Sequence, residues 1–226
     1  MKRYLPFITI AAVLLLAILS GTLLFRSSQR PATQQIPTTL TATAPGPPGA
    51  QPPHIKGVQN APVVLEEFGD FQCPPCAALH PELKKIEAAY GAKVSVVFRH
   101  FPLTKLHKNA LAAARASEAA GRQSRFWEMH NELYVNQAKW SDAADMRPIF
   151  IGYARTLGLD VERFTRDMND NETVARILAD LRRGEALGVT GTPTLFLNNR
   201  ELPYDTLKSE ATLRAAIDAA LNGKTQ

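Results

Sequence analysis

Apolar positions along the chain follow three successive regimes. Residues 4–25 are apolar with no period and no charge, and residues 27–53 are polar and proline-rich with no period. From residue 62 onward, apolar positions recur at strand and helix spacings in turn. The run 62–68 (Pro-Val-Val-Leu-Glu-Glu-Phe) is β-branched and apolar and predicts a strand. Residues 76–90 carry one apolar stripe, predict a helix stopped by Gly91, and contain Pro81, which should kink it. Residues 93–99 (Lys-Val-Ser-Val-Val-Phe-Arg) predict a second strand. Strand, crossover helix and strand make a parallel, right-handed βαβ unit.

Helical spacing then takes over. It predicts helices over 107–121, 125–135, 147–157, 161–168 and 171–187, with Gly158 and Gly188 as punctuation. The aromatic stripe Phe126, Trp127 and Tyr134 reads as helix packing. Residues 189–197 return to strand, Asn198-Asn199 suits a turn at positive φ, and Arg200 opens a return strand. Residues 209–221 predict a closing helix with Ser209 or Thr212 as cap and Leu213, Ala216, Ile217 and Ala220 on its apolar face.

Composition changes this picture only at the N-terminus. At 226 residues, with 45% hydrophobic and 21% charged positions, the chain has room for one globular domain with attachments. The net charge of +5 is dispersed, with no basic stripe interleaved with aromatics, so a nucleic-acid partner is not expected. Lys2 and Arg3 precede the 22 uncharged residues 4–25, which as a helix would be about 33 Å long and would span a bilayer. Residues 1–26 are therefore expected to be a single-pass membrane anchor. A cleaved signal peptide is the competing reading. The basic residues place the N-terminus inside and the rest of the chain on the periplasmic or extracytoplasmic side. Residues 27–56 are expected to be a Pro/Thr-rich flexible linker, and residues 57–226 the folded domain.

The chain has two cysteines, Cys73 and Cys76, between the first strand and its helix. A disulfide closing so short a loop restrains the unfolded chain little, so stapling is a poor explanation. A Cys-x-x-Cys pair at a helix start is instead the layout of a redox dithiol, because unpaired N–H groups and the helix dipole favour a thiolate on the first cysteine. Cys73, at the helix tip, is expected to be the solvent-exposed nucleophile, and Cys76, a turn later, the buried resolving thiol.

The segment Glu-Phe-Gly-Asp-Phe-Gln-Cys-Pro-Pro-Cys, joined to Gly191-Thr192-Pro193-Thr194 far downstream, resembles the thioredoxin superfamily and within it the DsbA-like thiol-disulfide oxidoreductases. The resemblance covers residues 57–221. It implies an α/β thioredoxin-like fold with an inserted helical subdomain at about residues 105–188. It also implies that Glu67, six residues before Cys73, is the buried acid that exchanges a proton with Cys76. Strand alternation alone puts Glu66 and Glu67 on opposite faces, and Glu66 is the lesser candidate. Thr192-Pro193 matches the cis-proline dipeptide that faces the cysteines in the family. The implied function is an extracytoplasmic oxidoreductase exchanging disulfides with exported proteins, with a membrane redox partner and no cofactor.

Oxidase is the expected direction, with reductase or isomerase as the alternative, because the Pro74-Pro75 dipeptide matches neither the Pro-His of strong oxidants nor the Gly-Pro of reductants. A reading from another class is a copper- or zinc-handling protein in which a histidine joins the same cysteines, although zinc would want four ligands. His80, His100, His107 and His130 read individually as packing or solvated residues.

Overall fold

The computed structural model describes residues 46–223. The expected anchor, 1–26, and residues 27–45 of the expected linker lie outside that range. Among the described residues no helix is long and apolar enough to cross a membrane.

One sheet organises the domain. Its strands are β1 (His54–Lys56), β2 (Val63–Gly69), β3 (Val94–His100), β4 (Thr194–Leu197) and β5 (Arg200–Glu201), in the order β1-β3-β2-β4-β5. The β2–β3 pair is parallel, from Val63 opposite Val94 to Gly69 opposite His100, and the other pairs are antiparallel. The expected βαβ unit is thus present, with α1 (Pro74–Tyr90) as its crossover helix. Every residue of β3 is buried, which is why the sequence there shows an apolar run rather than alternation.

The two faces of the sheet have different covers. Val63, Leu65 and Leu195 pack against Leu79, Leu83 and Ile86 of α1 and against Leu213 and Ile217 of α8 (Glu210–Leu221). Phe68 and Phe196 pack on the opposite side with Phe101 and Val189. Between β3 and β4 lie α2 (Ala110–Gly121), α3 (Phe126–Val135), α4 (Gln137–Trp140), α5 (Arg147–Thr156), α6 (Val161–Met168) and α7 (Asn171–Ala186). Their core contains Met129, Leu133, Trp140, Phe150 and Phe164, and it is continuous with Phe71, Cys73 and Cys76. The buried alanines of α2 let neighbouring helices approach closely. The dithiol therefore sits where the helical subdomain meets the sheet.

Most expected boundaries hold within a few residues. The Asn198-Asn199 turn has φ of 48° and 68°, and Ser209 caps α8 by accepting from the Thr212 N–H at 3.2 Å. Helix α1 begins two residues before the expected start, with prolines at its first positions, where a missing N–H costs nothing. It continues through Pro81. Strand β4 starts at Thr194 rather than 189, because the preceding residues form the loop around Thr192-Pro193.

A larger correction concerns the linker. Residues 46–56 belong to the folded domain, and 54–56 form β1. Arginines and one aspartate satisfy this segment's backbone. Arg183 donates to Pro47 O, Arg99 to Ala50 O, and Arg176 to Gln51 O and Pro52 O, while Asp180 accepts from the Ala50 N–H at 2.8 Å. A proline-rich stretch with no periodicity is held here through main-chain oxygens, which a search for apolar residues does not register.

Candidate active site

The end of β2 sets up the site. Gly69 is the last strand residue, and a Cβ there would lie 2.5 Å from Phe98 Cε2 and 2.9 Å from the Tyr134 hydroxyl, so only glycine lets these rings close over the strand. Asp70 follows and is buried. Its carboxylate accepts from the Gln72 N–H (2.7 Å), the Leu103 N–H (2.9 Å) and His107 Nδ1 (2.7 Å), which fixes the turn into α1. The Cys73 N–H donates to Asp70 O at 3.1 Å.

Cys73 occupies the N-cap of α1 and Cys76 its third helical position. Both are free thiols. The expectation of an exposed Cys73 needs correction: it is 4% exposed, against 0% for Cys76. The downstream loop covers it. The Thr192–Pro193 peptide is cis, and the Cys73 thiol donates to Thr192 O at 3.3 Å. The sequence motif and its distant dipeptide are thus in contact.

The two thiols are electrostatically unlike. Cys73 has its pKa lowered to about 6, first by a hydrogen bond from the Cys76 thiol, against the opposing effect of burial, and further by Thr192 and by the Cys76 backbone N–H. The Thr192 hydroxyl is buried with no partner among the described residues, so it is available to the thiolate. Burial pushes Cys76 well above the usual thiol range, and the hydrogen bond to Cys73 and the nearby Glu67 add to this.

Glu67 is 2% exposed, on the sheet face that α1 covers, and among the described residues its Oε1 has no hydrogen-bond partner. Burial raises its pKa to about 8, with contributions from Glu87 and Cys73. Glu66 points to the other face and is held by Arg99 and Arg183, both within 2.8 Å.

Several residues that support the site were not legible as such. Gln137 Nε2 donates to Phe71 O (2.7 Å) and Cys73 O (3.1 Å), pinning the active-site loop to the helical subdomain. Gln72 accepts from the Asn109 N–H and donates to Ser141 O, and Asn109 donates in turn to Ser141 O and Ala143 O. No motif marks Gln137 and Asn109, because each acts through backbone carbonyls far away in sequence, whereas Gln72 lies inside the cysteine motif and only its distant partners were hidden. The Tyr134 ring is tilted at 48° against Phe71 with ring centroids 4.9 Å apart, and its buried hydroxyl has no hydrogen-bond partner among the described residues.

A cavity of about 520 Å³ opens beside the dithiol, lined by Pro74, Pro75, Leu79, Pro193, Tyr204 and Leu207 among others. Its apolar walls meet both prolines of the motif. Among the described residues no third ligand joins the two cysteines to make a metal centre. Among the described residues, the three side chains that bring His, Cys, Asp or Glu donor atoms within 4.8 Å of one another are His54, His100 and Glu118. Neither cysteine is among them. Glu118 Oε1 lies 2.8 Å from His54 Nε2 and 3.1 Å from His100 Nε2, and Arg176 Nε donates to Glu118 Oε2 at 2.7 Å. That carboxylate is already paired with a guanidinium, so the cluster serves as an internal hydrogen-bond network.

Comparison with known proteins agrees with this arrangement. The family described as Thioredoxin matches residues 50–219. The thioredoxin-like oxidoreductase from Silicibacter pomeroyi DSS-3 superposes with a TM-score of 0.63 at 27% identity, covering 75% of this chain and 92% of that one. DsbA2 of Pseudomonas aeruginosa gives 0.57 at 27% identity, covering 73% and 91%. Among curated sequences, the Na(+)/H(+) antiporter NhaA 1 of Salinispora arenicola is 38% identical over 171 residues, 75% of this chain and 25% of that protein. The chain thus spans about a quarter of the length of the curated relatives it matches. It belongs to the thioredoxin family, as a DsbA-like member.

Proposed function

We propose that this protein is an extracytoplasmic thiol-disulfide oxidoreductase that donates its Cys73–Cys76 disulfide to exported proteins. The observation that carries this reading is the unequal acidity of the two thiols, with Cys73 near 6 and Cys76 pushed well up beside an unpaired Glu67. In the forward reaction a substrate thiolate attacks Cys73 Sγ, the Cys73–Cys76 bond breaks, and Cys76 leaves as a thiolate. Glu67, protonated near neutral pH because its pKa is about 8, supplies the proton that Cys76 takes up. A second substrate thiolate attacks the substrate sulfur of the mixed disulfide and expels Cys73 as a thiolate. The substrate loses two electrons and the protein gains them, so a membrane redox partner must reoxidise the dithiol.

A low pKa on Cys73 stabilises the reduced protein and makes its disulfide the more oxidising, which favours oxidase over the reductase and isomerase alternatives. Thr192 O and the neighbouring backbone face the attacked sulfur and would pair with an extended substrate, whose apolar side chains the adjoining cavity would accept. The uncharged run 4–25 would hold the domain at the outer side of the inner membrane.

The test is Cys76→Ala in cells. With the resolving thiol gone, substrates should accumulate on Cys73 as mixed disulfides, and thiol trapping of the wild type should find the pair mainly oxidised. A mainly reduced pair would reverse the direction. Purified protein that binds one metal ion tightly and exchanges no disulfide with a model peptide would overturn the oxidoreductase assignment.

A further inference from the structure

Among the described residues six carboxyl groups are buried, and five of them are settled. Glu66, Glu118, Asp167 and Asp180 each lie within 3.6 Å of a guanidinium nitrogen. Glu67, with its pKa raised to about 8 by burial, keeps its proton near neutral pH. The sixth is Asp70, whose side chain is 0% exposed and whose ion-pair partner among the described residues is His107 alone, at 2.7 Å. Its Oδ2 faces two donors, the Leu103 N–H and His107 Nδ1, so it has no acceptor for a proton of its own and the group is a carboxylate. A buried charge without a counter-charge is costly. His107 is placed to supply one, because its ring is 19% exposed and can take up a proton from solvent.

The position of this pair matters to the dithiol. Asp70 Oδ1 accepts from the N–H of Gln72, the residue before Cys73, and Asp70 O accepts from the Cys73 N–H itself. A carboxylate in that turn opposes a thiolate at Cys73. The Cys73 pKa is lowered first by the hydrogen bond from the Cys76 thiol, and both burial and Asp70 act against that lowering. Whatever neutralises Asp70 therefore favours the thiolate.

We propose that His107 is a positioning residue for the dithiol: an imidazolium that pairs with Asp70 and cancels the negative charge beside Cys73. It touches neither sulfur and acts through the carboxylate. The inference rests on the oxidoreductase reading above and adds to it a residue that sets the redox poise from outside the Cys-Pro-Pro-Cys motif.

Two measurements on the full-length reduced protein test this. With ¹⁵N-labelled histidine at neutral pH, both ring nitrogens of His107 should show the shifts of protonated nitrogen, and a neutral ring overturns the proposal. The second measurement separates charge from hydrogen bonding. His107→Asn puts an amide N–H where Nδ1 stands but carries no charge, and His107→Lys returns a cation without the imidazole. In the Asn variant the acid dissociation constant of Cys73, read from thiolate absorbance, should fall by about threefold or more, a modest share of what a unit charge exerts near a protein surface. Its disulfide should become less oxidising against glutathione by the same factor, and the Lys variant should recover most of the loss. Equal constants in the wild type and the Asn variant overturn the proposal, as does a Lys variant that matches the Asn one. Wild-type protein that exchanges no disulfide with glutathione would overturn the oxidoreductase reading itself, whereas normal exchange with unmoved constants overturns this inference alone. The ¹⁵N measurement uses the wild type and decides the charge of His107 even if a variant fails to fold.

Discussion

Glu66 and Glu67 are neighbours on one strand, both buried, and they face opposite environments. On the α7 side, burial alone would raise the Glu66 pKa, but hydrogen bonds from Arg183 and Arg99 more than offset it and hold the carboxylate below its usual range. Asp180 completes that side by accepting from Arg99, the Ala50 N–H and the His100 N–H. On the α1 side Glu67 has no such donor among the described residues, and burial drives it to about 8. The protein has charged donors to spare on one face of the sheet and withholds them from the other. A saturated carboxylate is a structural fixture with its charge locked in. A starved one sits between protonation states near neutral pH, which suits a group that passes a proton to a thiol.

Removing the saturated partner should do the most damage. Glu66→Leu would take the paired carboxylate from Arg183 and leave Arg99 with Asp180 alone, and breaking one side of a buried ion pair costs about 3–5 kcal/mol. Urea unfolding at neutral pH measures this. A loss below about 1 kcal/mol would mean the pairs are loose in solution and the contrast between the faces is overstated.

Glu67→Gln probes the starved side, and its signature is a pH slope. The folded-state pKa is raised to about 8 from an ordinary 4.5. Between those values the folded protein keeps a proton that the unfolded chain releases, so this carboxyl lowers stability progressively as pH rises from about 4.5 to 8. Glutamine has no such proton. The two proteins should therefore be nearly equal at pH 4, with the variant more stable at pH 8 by an amount on the order of a few kcal/mol. Cys73, whose pKa is lowered to about 6, acts in the opposite sense in the reduced protein, but it is present in both and largely drops out of the difference. Parallel stability profiles across this range would show that Glu67 is ionised in the fold.

Gly69→Ala tests the seam between the two sides at a smaller scale. The added methyl meets Phe98 Cε2 at 2.5 Å, within a packed aromatic cluster, and overpacking of this kind costs about 1–3 kcal/mol. The loss of stability should come with slower disulfide exchange, because Gly69 leads directly into Asp70 and the dithiol. An undisturbed exchange rate would separate strand packing from the site.

The parts of this arrangement that sequence makes legible are those with a local cause. Helix periodicity located α1, α3, α5, α6, α7 and α8 to within about two residues, and α2 to within three. Cys73 and Cys76 stood out by spacing at a strand-to-helix boundary, and Thr192-Pro193 by its likeness to a family motif. The choice between Glu66 and Glu67 was not local. Alternation separates the two carboxyls but does not say which face receives Arg99 and Arg183, and the second of these arrives from a helix 117 positions downstream. Strand β1 was hidden for a similar reason, since three residues of mixed polarity become a strand only by pairing with Val96, Val97 and Phe98. The covering of Cys73 by Thr192 O likewise depends on a loop 119 positions away.

The finest test adds a donor where the α1 side lacks one. Cys73 is the N-cap of α1, and an N-cap side chain accepts from the N–H of the second or third helical residue. The third is Cys76, whose N–H already helps to lower the Cys73 pKa. The second is Pro75, which has none. Pro75 is exposed, so Pro75→His disturbs no packing, keeps Pro74 at the first position, and restores the missing donor. The Cys73 pKa should fall below 6 by up to about one unit, equivalent to about 1.4 kcal/mol between its protonation states. Because a stabilised thiolate stabilises the reduced protein, the disulfide should become the stronger oxidant. Titration of the thiolate absorbance gives the first quantity, and equilibration of both variants with glutathione gives the second. If the pKa is unchanged or higher, the Cys76 N–H and Thr192 already satisfy the thiolate, and the Pro-Pro dipeptide does not set the redox poise.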